Sequence, residues 1–215
     1  MEKDLGDYRK SYEKGQLLLT NAPENPIELF RDWFLEVDTH FNMGETNAMT
    51  ISTLGLDGFP KSRVVLLKKY TQEGFIFYTN YNSEKGKAIL HNPNVCLSFF
   101  WPAAERQIII KGKAEKIQEN LSDGYFESRP RGSQLGAIAS NQSKVVKDRA
   151  ELENKLKVLE NKFEGKDIER PKHWGGLIVK PVELEFWQGR PNRLHDRIRY
   201  KLEEDYSWKV ERLSP

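Results

Sequence analysis

Apolar residues change period several times along the chain, and each change marks an element. Ile27, Phe30, Trp33, Phe34, Val37 and Phe41 recur at steps of three and four, which predicts an amphipathic helix. Its start is signalled by Asn25-Pro26-Ile27-Glu28: a capping side chain, a proline at the first helical position and a glutamate three after the cap. Ala48 to Leu54 alternates like a strand, Leu56-Asp57-Gly58 is a hairpin turn, and Pro60 to Lys69 predicts a second strand. Its centre, Val64-Val65-Leu66-Leu67, is expected to be buried. Phe75 to Thr79 is a third strand. Ser83 caps a short helix through Leu90, which Asn92-Pro93-Asn94 stops. Val95 to Trp101 and Arg106 to Ile117 are two further strands.

Residues 120–163 read as helical, with a helix start near Ser133. Leu152, Leu156, Leu159 and Phe163 form an apolar stripe between charges. Strands return at Gly176–Val179, Val182–Trp187, Ile198–Leu202 and Ser207–Arg212. There is no internal repeat. Strands joined mainly by hairpins and interrupted by helices predict an α+β fold with an antiparallel barrel or strongly curled sheet. Residues 1–24 are polar and predict a mobile arm ahead of a single domain, 25–215.

Composition mainly excludes. Among 215 residues, 34 Lys and Arg face 32 Asp and Glu, a net charge of +2. With the arginines scattered among apolar strands, that argues against a nucleic-acid or membrane-surface binder. A hydrophobic share of 38% is too high for a disordered chain. No segment approaches the roughly 20 apolar residues of a membrane helix. The charged N-terminus lacks the apolar stretch of a signal peptide, so a cytoplasmic location is expected. Cys96 is the single cysteine, which excludes an internal disulfide; between Val95 and Leu97 it reads as a small buried hydrophobe. The four histidines have no close ligand spacing, so no metal is expected, and the common phosphate-loop and dinucleotide motifs are absent. The five tryptophans are expected in the core.

Three cationic groups remain. In Arg190-Pro191-Asn192-Arg193-Leu194-His195-Asp196-Arg197, an extended chain would place Arg193, His195 and Arg197 on one face over roughly 13 Å. Such a face suits a doubly charged anion or an electron-rich ring; it equally suits an edge strand protected by charge. Around the 64–67 run, Arg63 and Lys68 read either as phosphate ligands or as side chains snorkelling from strand ends. Their opposite parity turns them to opposite faces of a regular strand. Tyr125-Phe126-Glu127-Ser128-Arg129-Pro130-Arg131-Gly132-Ser133 sets arginines and hydroxyls at a helix start, as an anion site or a surface loop.

Arg63-Val64-Val65-Leu66-Leu67-Lys68, Phe77-Tyr78-Thr79-Asn80, Glu105-Arg106-Gln107, Tyr125 to Pro130, Ser133-Gln134-Leu135-Gly136, Phe186-Trp187-Gln188-Gly189 and Arg193-Leu194-His195-Asp196-Arg197 occur in a telling order. Over about Tyr8 to Pro215 the chain resembles the pyridoxine (pyridoxamine) 5'-phosphate oxidase family. The resemblance implies an antiparallel FMN-binding split β-barrel, with FMN at a homodimer interface. It implies oxidation of pyridoxine or pyridoxamine 5'-phosphate to pyridoxal 5'-phosphate by O2. It assigns the FMN phosphate and ribityl chain to Arg63, Lys85, Gln142 and Ser143, and the isoalloxazine to Val64, Val65, Leu66, Leu67, Lys68, Tyr78, Thr79, Gln107, Trp187 and Arg197. The substrate phosphate falls to Lys68, Tyr125, Arg129 and Ser133, and the pyridine ring to Arg193 and His195. Arg193, His195 and Arg197 are the implied catalytic residues, and Arg9 and Tyr12 close over the substrate. Opposite parity is then tolerable, since Arg63 and Lys68 serve different ligands. One departure stands out: Glu84 replaces a cation that usually faces the FMN phosphate. A flavin reductase of the same fold, or a flavin or vitamin B6 carrier, is the competing reading.

Overall fold

The computed structural model describes residues 3–215; Met1 and Glu2 of the predicted arm lie outside the described residues. Helix α1 (Pro26–His40) begins as its sequence dictates, with the Asn25 side chain accepting the Ile27 N–H at 2.9 Å. Strands β1 (Ala48–Leu54) and β2 (Pro60–Leu66) flank the Asp57-Gly58 turn, where Gly58 takes φ +82°. A β-carbon is disfavoured at that angle, which is why glycine stands there. The predicted strand 60–69 is broken: β3 (Lys69–Thr71) is a separate strand that pairs with β4 (Gly74–Asn80). Helix α2 (Glu84–His91) is capped by Ser83 Oγ, which accepts the Gly86 N–H at 3.1 Å. Strands β5 (Asn94–Trp101) and β6 (Arg106–Lys116) follow.

The predicted helical stretch resolves into α3 (Glu119–Glu127), α4 (Arg131–Ala139) and α5 (Arg149–Phe163), with α4 starting two residues before Ser133. Strand β7 (Trp174–Gln188) is continuous where two strands are expected. Its residues 174–179 pair with β4 and residues 183–188 with β8 (Asp196–Leu202), both antiparallel. Pro181 falls between these ladders, where its missing N–H breaks neither of them. Strand β9 (Trp208–Leu213) pairs antiparallel with β8. Among the described residues the sheet runs β2-β1-β5-β6-β7-β4-β3, with β8 on β7 and β9 on β8. β2 and β3 stand at opposite ends of that order although only Leu67 and Lys68 separate them, so the sheet is curled, as the pattern predicts. The class is α+β.

The chain divides into two compact units. Among the described residues the first comprises 3–49, 97–111 and 181–215. Its core sets Phe30 5.3 Å from Phe99, Trp33 5.3 Å from Phe186, and Phe186 5.7 Å from Tyr200 (ring centroids). Ahead of α1, Leu17 is buried and donates its N–H to Asp196 Oδ2 at 3.0 Å. The second unit comprises residues 50–96 and 112–180. Phe126, Leu135, Ile168 and Trp174 are buried there, and Leu156, Leu159 and Phe163 of α5 pack on them.

Three burial expectations change. Val64 is 67% exposed and only Leu67 of its run is buried, because β2 ends the strand order and has no neighbouring strand on its outer side. Cys96 is half-buried, on a strand whose inward positions are Val95 and Leu97. Trp187 and Trp208 are half-buried, while Trp33, Trp101 and Trp174 are core. No helix among the described residues is long and apolar enough to cross a membrane, and no cluster of metal-ligating side chains occurs among them.

Candidate functional site

A cavity of about 680 Å³ opens in the second unit, a size suited to a small-molecule ligand. β2 contributes Val64, Val65 and Leu66; the β2–β3 link contributes Lys68; β4 contributes Tyr78 and Thr79; α2 contributes Lys85. The far wall carries Tyr125 of α3, Arg129 of the α3–α4 turn, Ser133 of α4, and Gln142. Three cations, Lys68, Lys85 and Arg129, therefore meet in a wall that carries no carboxylate among its described residues.

Lys85 and Arg129 are held in place. Lys85 Nζ donates to Thr79 Oγ1 at 2.6 Å and to Gln142 Oε1 at 3.1 Å. Burial, with Arg63 nearby, lowers its ammonium to about 8. Arg129 lies over Trp174, 4.6 Å from the ring centroid, and its Nη1 is buried with no hydrogen-bond partner among the described residues. Burial lowers its pKa as well. Pro130 caps α4, so Arg129 projects from the turn between two helices instead of from a helix face. Beside it, Tyr78 stacks on Tyr125 at 3.8 Å and on Trp174 at 5.6 Å. Burial and the Tyr125 hydroxyl raise the Tyr78 pKa, keeping the phenol protonated.

Three predicted site residues of this unit stand off the cavity wall. Arg63 turns its Nη1 to Thr53 Oγ1 and the Lys61 carbonyl, each at 2.7 Å. Leu67 sends its side chain into the core at 4% exposure. Ser143, at φ 71°, accepts the Glu84 N–H at 3.2 Å beside a smaller neighbouring cavity. Glu84 itself is exposed and pairs with Lys61 at 2.5 Å, which offsets its charge.

The remaining predicted residues lie in the first unit. The extended face expected for Arg193, His195 and Arg197 is not formed. Residues 191–193 make a single 3-10 turn, with Asn192 and Arg193 both in the left-handed region, and β8 starts only at Asp196. Pro191 opens the turn and Asn192 tolerates positive φ, a local preference that overrides strand alternation. Arg193 is exposed. His195 accepts the Arg190 backbone N–H on Nδ1 at 3.0 Å, so its neutral ring carries the proton on Nε2. The ring lies 4.7 Å from Trp187 and 5.8 Å from Tyr12. Arg197 donates from Nε to Glu185 at 2.8 Å and from Nη1 to the Ser214 carbonyl at 2.8 Å; bonding to Glu185 raises its pKa. Gln107 is half-buried near Ser98, and Arg9 is exposed, donating to the Gly6 carbonyl at 3.2 Å.

Sequence patterning missed Trp174, Asn80, Pro130 and Ser140 as cavity-wall residues. Trp174 carries the one usable signal, an aromatic directly ahead of Gly175-Gly176. A β-carbon at Gly176 would come within 2.9 Å of the Tyr78 ring, so that glycine lets β7 lie close under the aromatic stack.

Two family models match the chain. One, described as pyridoxamine 5'-phosphate oxidase, covers residues 38–163; the other, described as the pyridoxine 5'-phosphate oxidase C-terminal dimerisation region, covers residues 174–215. A pyridoxine/pyridoxamine 5'-phosphate oxidase of Flavobacterium psychrophilum is 70% identical over 99% of this chain and 100% of its own length. That of Flavobacterium johnsoniae is 68% identical over 98% of this chain and 99% of its own. Among solved structures, PhzG of Burkholderia lata in complex with tetrahydrophenazine-1-carboxylic acid superposes with a TM-score of 0.86 at 28% identity, covering 94% of this chain and all of that one. A pyridoxamine 5'-phosphate oxidase-related FMN binding protein of Nostoc punctiforme gives a TM-score of 0.68 at 14% identity, over 90% of this chain and 98% of that one, and supports the fold alone.

Proposed function

The chain belongs to the pyridoxamine 5'-phosphate oxidase family, and from that premise we propose that it is an FMN-dependent split-barrel oxidase converting pyridoxine or pyridoxamine 5'-phosphate to pyridoxal 5'-phosphate. The observation that carries the ligand assignment is the charge of the cavity: Lys68, Lys85 and Arg129 with no opposing carboxylate among the described lining residues. Phosphate esters answer that charge. The same wall fits FMN. Lys85 is a desolvated cation held by Thr79 and Gln142, and Val64, Val65 and Leu66 line the cavity with apolar side chains; the buried free donor of Arg129 is left for the substrate.

In this reading Arg63, Lys85, Gln142 and Ser143 hold the FMN phosphate and ribityl chain. Val64 to Lys68, Tyr78, Thr79, Gln107, Trp187 and Arg197 serve the isoalloxazine. Lys68, Tyr125, Arg129 and Ser133 hold the substrate phosphate, Arg193 and His195 face the pyridine ring, and Arg9 and Tyr12 cover it. Two copies of the chain pair with FMN at their interface; support comes from the match of residues 174–215 to a dimerisation region and from Val64, apolar yet 67% exposed in one copy. The protein would work in the cytoplasm.

FMN, when bound, would supply the redox chemistry, a two-electron oxidation at the substrate's 4'-carbon with O2 as final acceptor and peroxide as its product. The chain's residues bind and orient. Lys68 and Arg129 fix the substrate's phosphate end, so the 4'-carbon is placed without freedom to wander. His195, with Nδ1 occupied by the Arg190 N–H, offers Nε2–H as a donor and so orients the substrate in place of removing a proton. Arg197 presents a cationic donor whose direction is set by Glu185 and Ser214. The amine substrate leaves as an imine, which water hydrolyses to aldehyde and ammonia.

The test is the visible spectrum of the FMN-loaded protein, anaerobic, before and after pyridoxamine 5'-phosphate. Bleaching of the flavin band, with peroxide on readmitting air, is expected. A flavin reductase or a carrier of flavin or vitamin B6 would leave the band unchanged.

A further inference from the structure

Glu105 is 2% exposed and its backbone sits at φ 57°, in the left-handed region. Few non-glycine residues stay there without support from their surroundings. The support reaches Glu105 from two directions. Its carbonyl oxygen accepts the Gly189 N–H at 2.8 Å and Gln188 Nε2 at 3.2 Å, which ties it to the end of β7. Its carboxylate points to the N-terminal segment: Oε2 accepts the N–H groups of Glu13 at 2.8 Å and Lys14 at 3.0 Å, and Oε1 lies 3.5 Å from Lys10 Nζ. Burial alone would lift the pKa of this carboxyl; the two N–H groups and Lys10 outweigh burial and hold it below the ordinary value.

The segment gripped this way carries Tyr12. The Tyr12 ring stands edge-on to Trp187, 5.7 Å between centroids at 88°, and 5.8 Å from the His195 ring. The chain beneath is shaped to receive it. A β-carbon at Gly189 would fall 2.7 Å from Tyr12 Cγ, and one at Gly15 would fall 2.9 Å from Gln188 Oε1. Neither glycine has a positive φ; each is needed for close approach.

We propose that Glu105 is a positioning residue, a buried latch that draws residues 10–14 onto the end of β7 and so sets Tyr12 against His195. The proposal rests on the reading of Tyr12 and His195 as substrate-facing groups. Glu105 acts through the arm, because its carboxylate is spent on residues 10, 13 and 14.

The test uses the full-length, FMN-loaded protein and two readouts. In the wild type, amide hydrogen exchange at residues 13 and 14 is expected to be at least about tenfold slower than in an unprotected peptide. Glu105→Ala is expected to abolish that protection and raise KM for pyridoxamine 5'-phosphate about tenfold, with kcat changed less and FMN retained. Glu105→Gln keeps a neutral acceptor and is expected to fall between. Unprotected amides at 13 and 14 in the wild type overturn the latch, whether or not the variants fold. Lost protection with an unchanged KM overturns the positioning role. A wild type that oxidises nothing defeats the reading beneath the proposal, while the exchange measurement still judges the latch alone.

Discussion

Arg129→Met is expected to separate ligand affinity from protein stability. The Arg129 guanidinium lies 4.6 Å from the Trp174 ring centroid, yet its Nη1 is buried with no partner among the described residues. An unpaired buried donor costs about 1–3 kcal/mol, which the ligand-free protein bears. The cation–π contact offsets it by about 0.5–2 kcal/mol. Methionine keeps the apolar stem against Trp174 and removes both effects. Because the two oppose each other at similar size, the ligand-free Tm is expected to stay within about 4 °C, the shift produced by ~1 kcal/mol in a chain of this length. Binding behaves differently. A hydrogen bond from a cation to phosphate is worth about 1.5–3 kcal/mol, and at 1.4 kcal/mol per decade KM is expected to rise about 10–140-fold. The phosphate is remote from the reacting carbon, so kcat moves less. Peroxide release against pyridoxamine 5'-phosphate concentration and a thermal melt of the ligand-free protein measure the two sides. A KM within twofold of wild type, or a Tm lower by more than about 8 °C, would show that Arg129 is a structural residue and refute the reasoning.

Further outcomes follow from the same geometry. Lys85 has its ammonium lowered to about 8, and a bound dianion raises it again, so FMN affinity is expected to be full below pH 8. Above pH 8 the affinity weakens, by up to about tenfold per unit; quenching of flavin fluorescence from about pH 7 to 10 measures this, and Lys85→Met should flatten the profile. Arg193→Ala and His195→Ala are each expected to cut turnover more than about tenfold, ~1.4 kcal/mol of barrier, while the flavin absorbance of the purified protein persists. Wild-type turnover in both would remove them from the chemistry. Glu84→Ala is expected to change FMN affinity by less than about threefold, because Glu84 is exposed and already paired with Lys61. A larger gain in a fluorescence titration would mean that its charge reaches the phosphate.

Local structure is legible in the sequence wherever one residue's chemistry decides the outcome. Asn25 and Ser83 cap the helices their sequences announce, and Asp57-Gly58 turns the first hairpin. Legibility ends where a distant partner decides. Pro181 reads as a strand break until it is seen to lie between the ladders with β4 and β8. Val64 reads as core, but burial depends on what covers β2, and no nearest-neighbour pattern encodes that. At the site, the residue types were legible and the grouping was not. The 193–197 alternation gave way to a left-handed turn at Asn192 and Arg193, and Lys68 joined Arg129 only because the chain leaves β2 after Leu66. Glu105 stands in the Glu105-Arg106-Gln107 segment, and nothing in that segment signals that its partners are backbone groups some 90 residues earlier.

β4 is completed by β7, with Tyr78 opposite Gly176, and Trp174 closes the aromatic stack beside Arg129. During synthesis the first of these strands leaves the ribosome nearly a hundred codons before the second, so the nascent chain has to keep an apolar ladder unmatched in the meantime. A product ending ahead of Trp174 lacks one wall of the cavity, so that pocket exists only in chains translated past the start of β7.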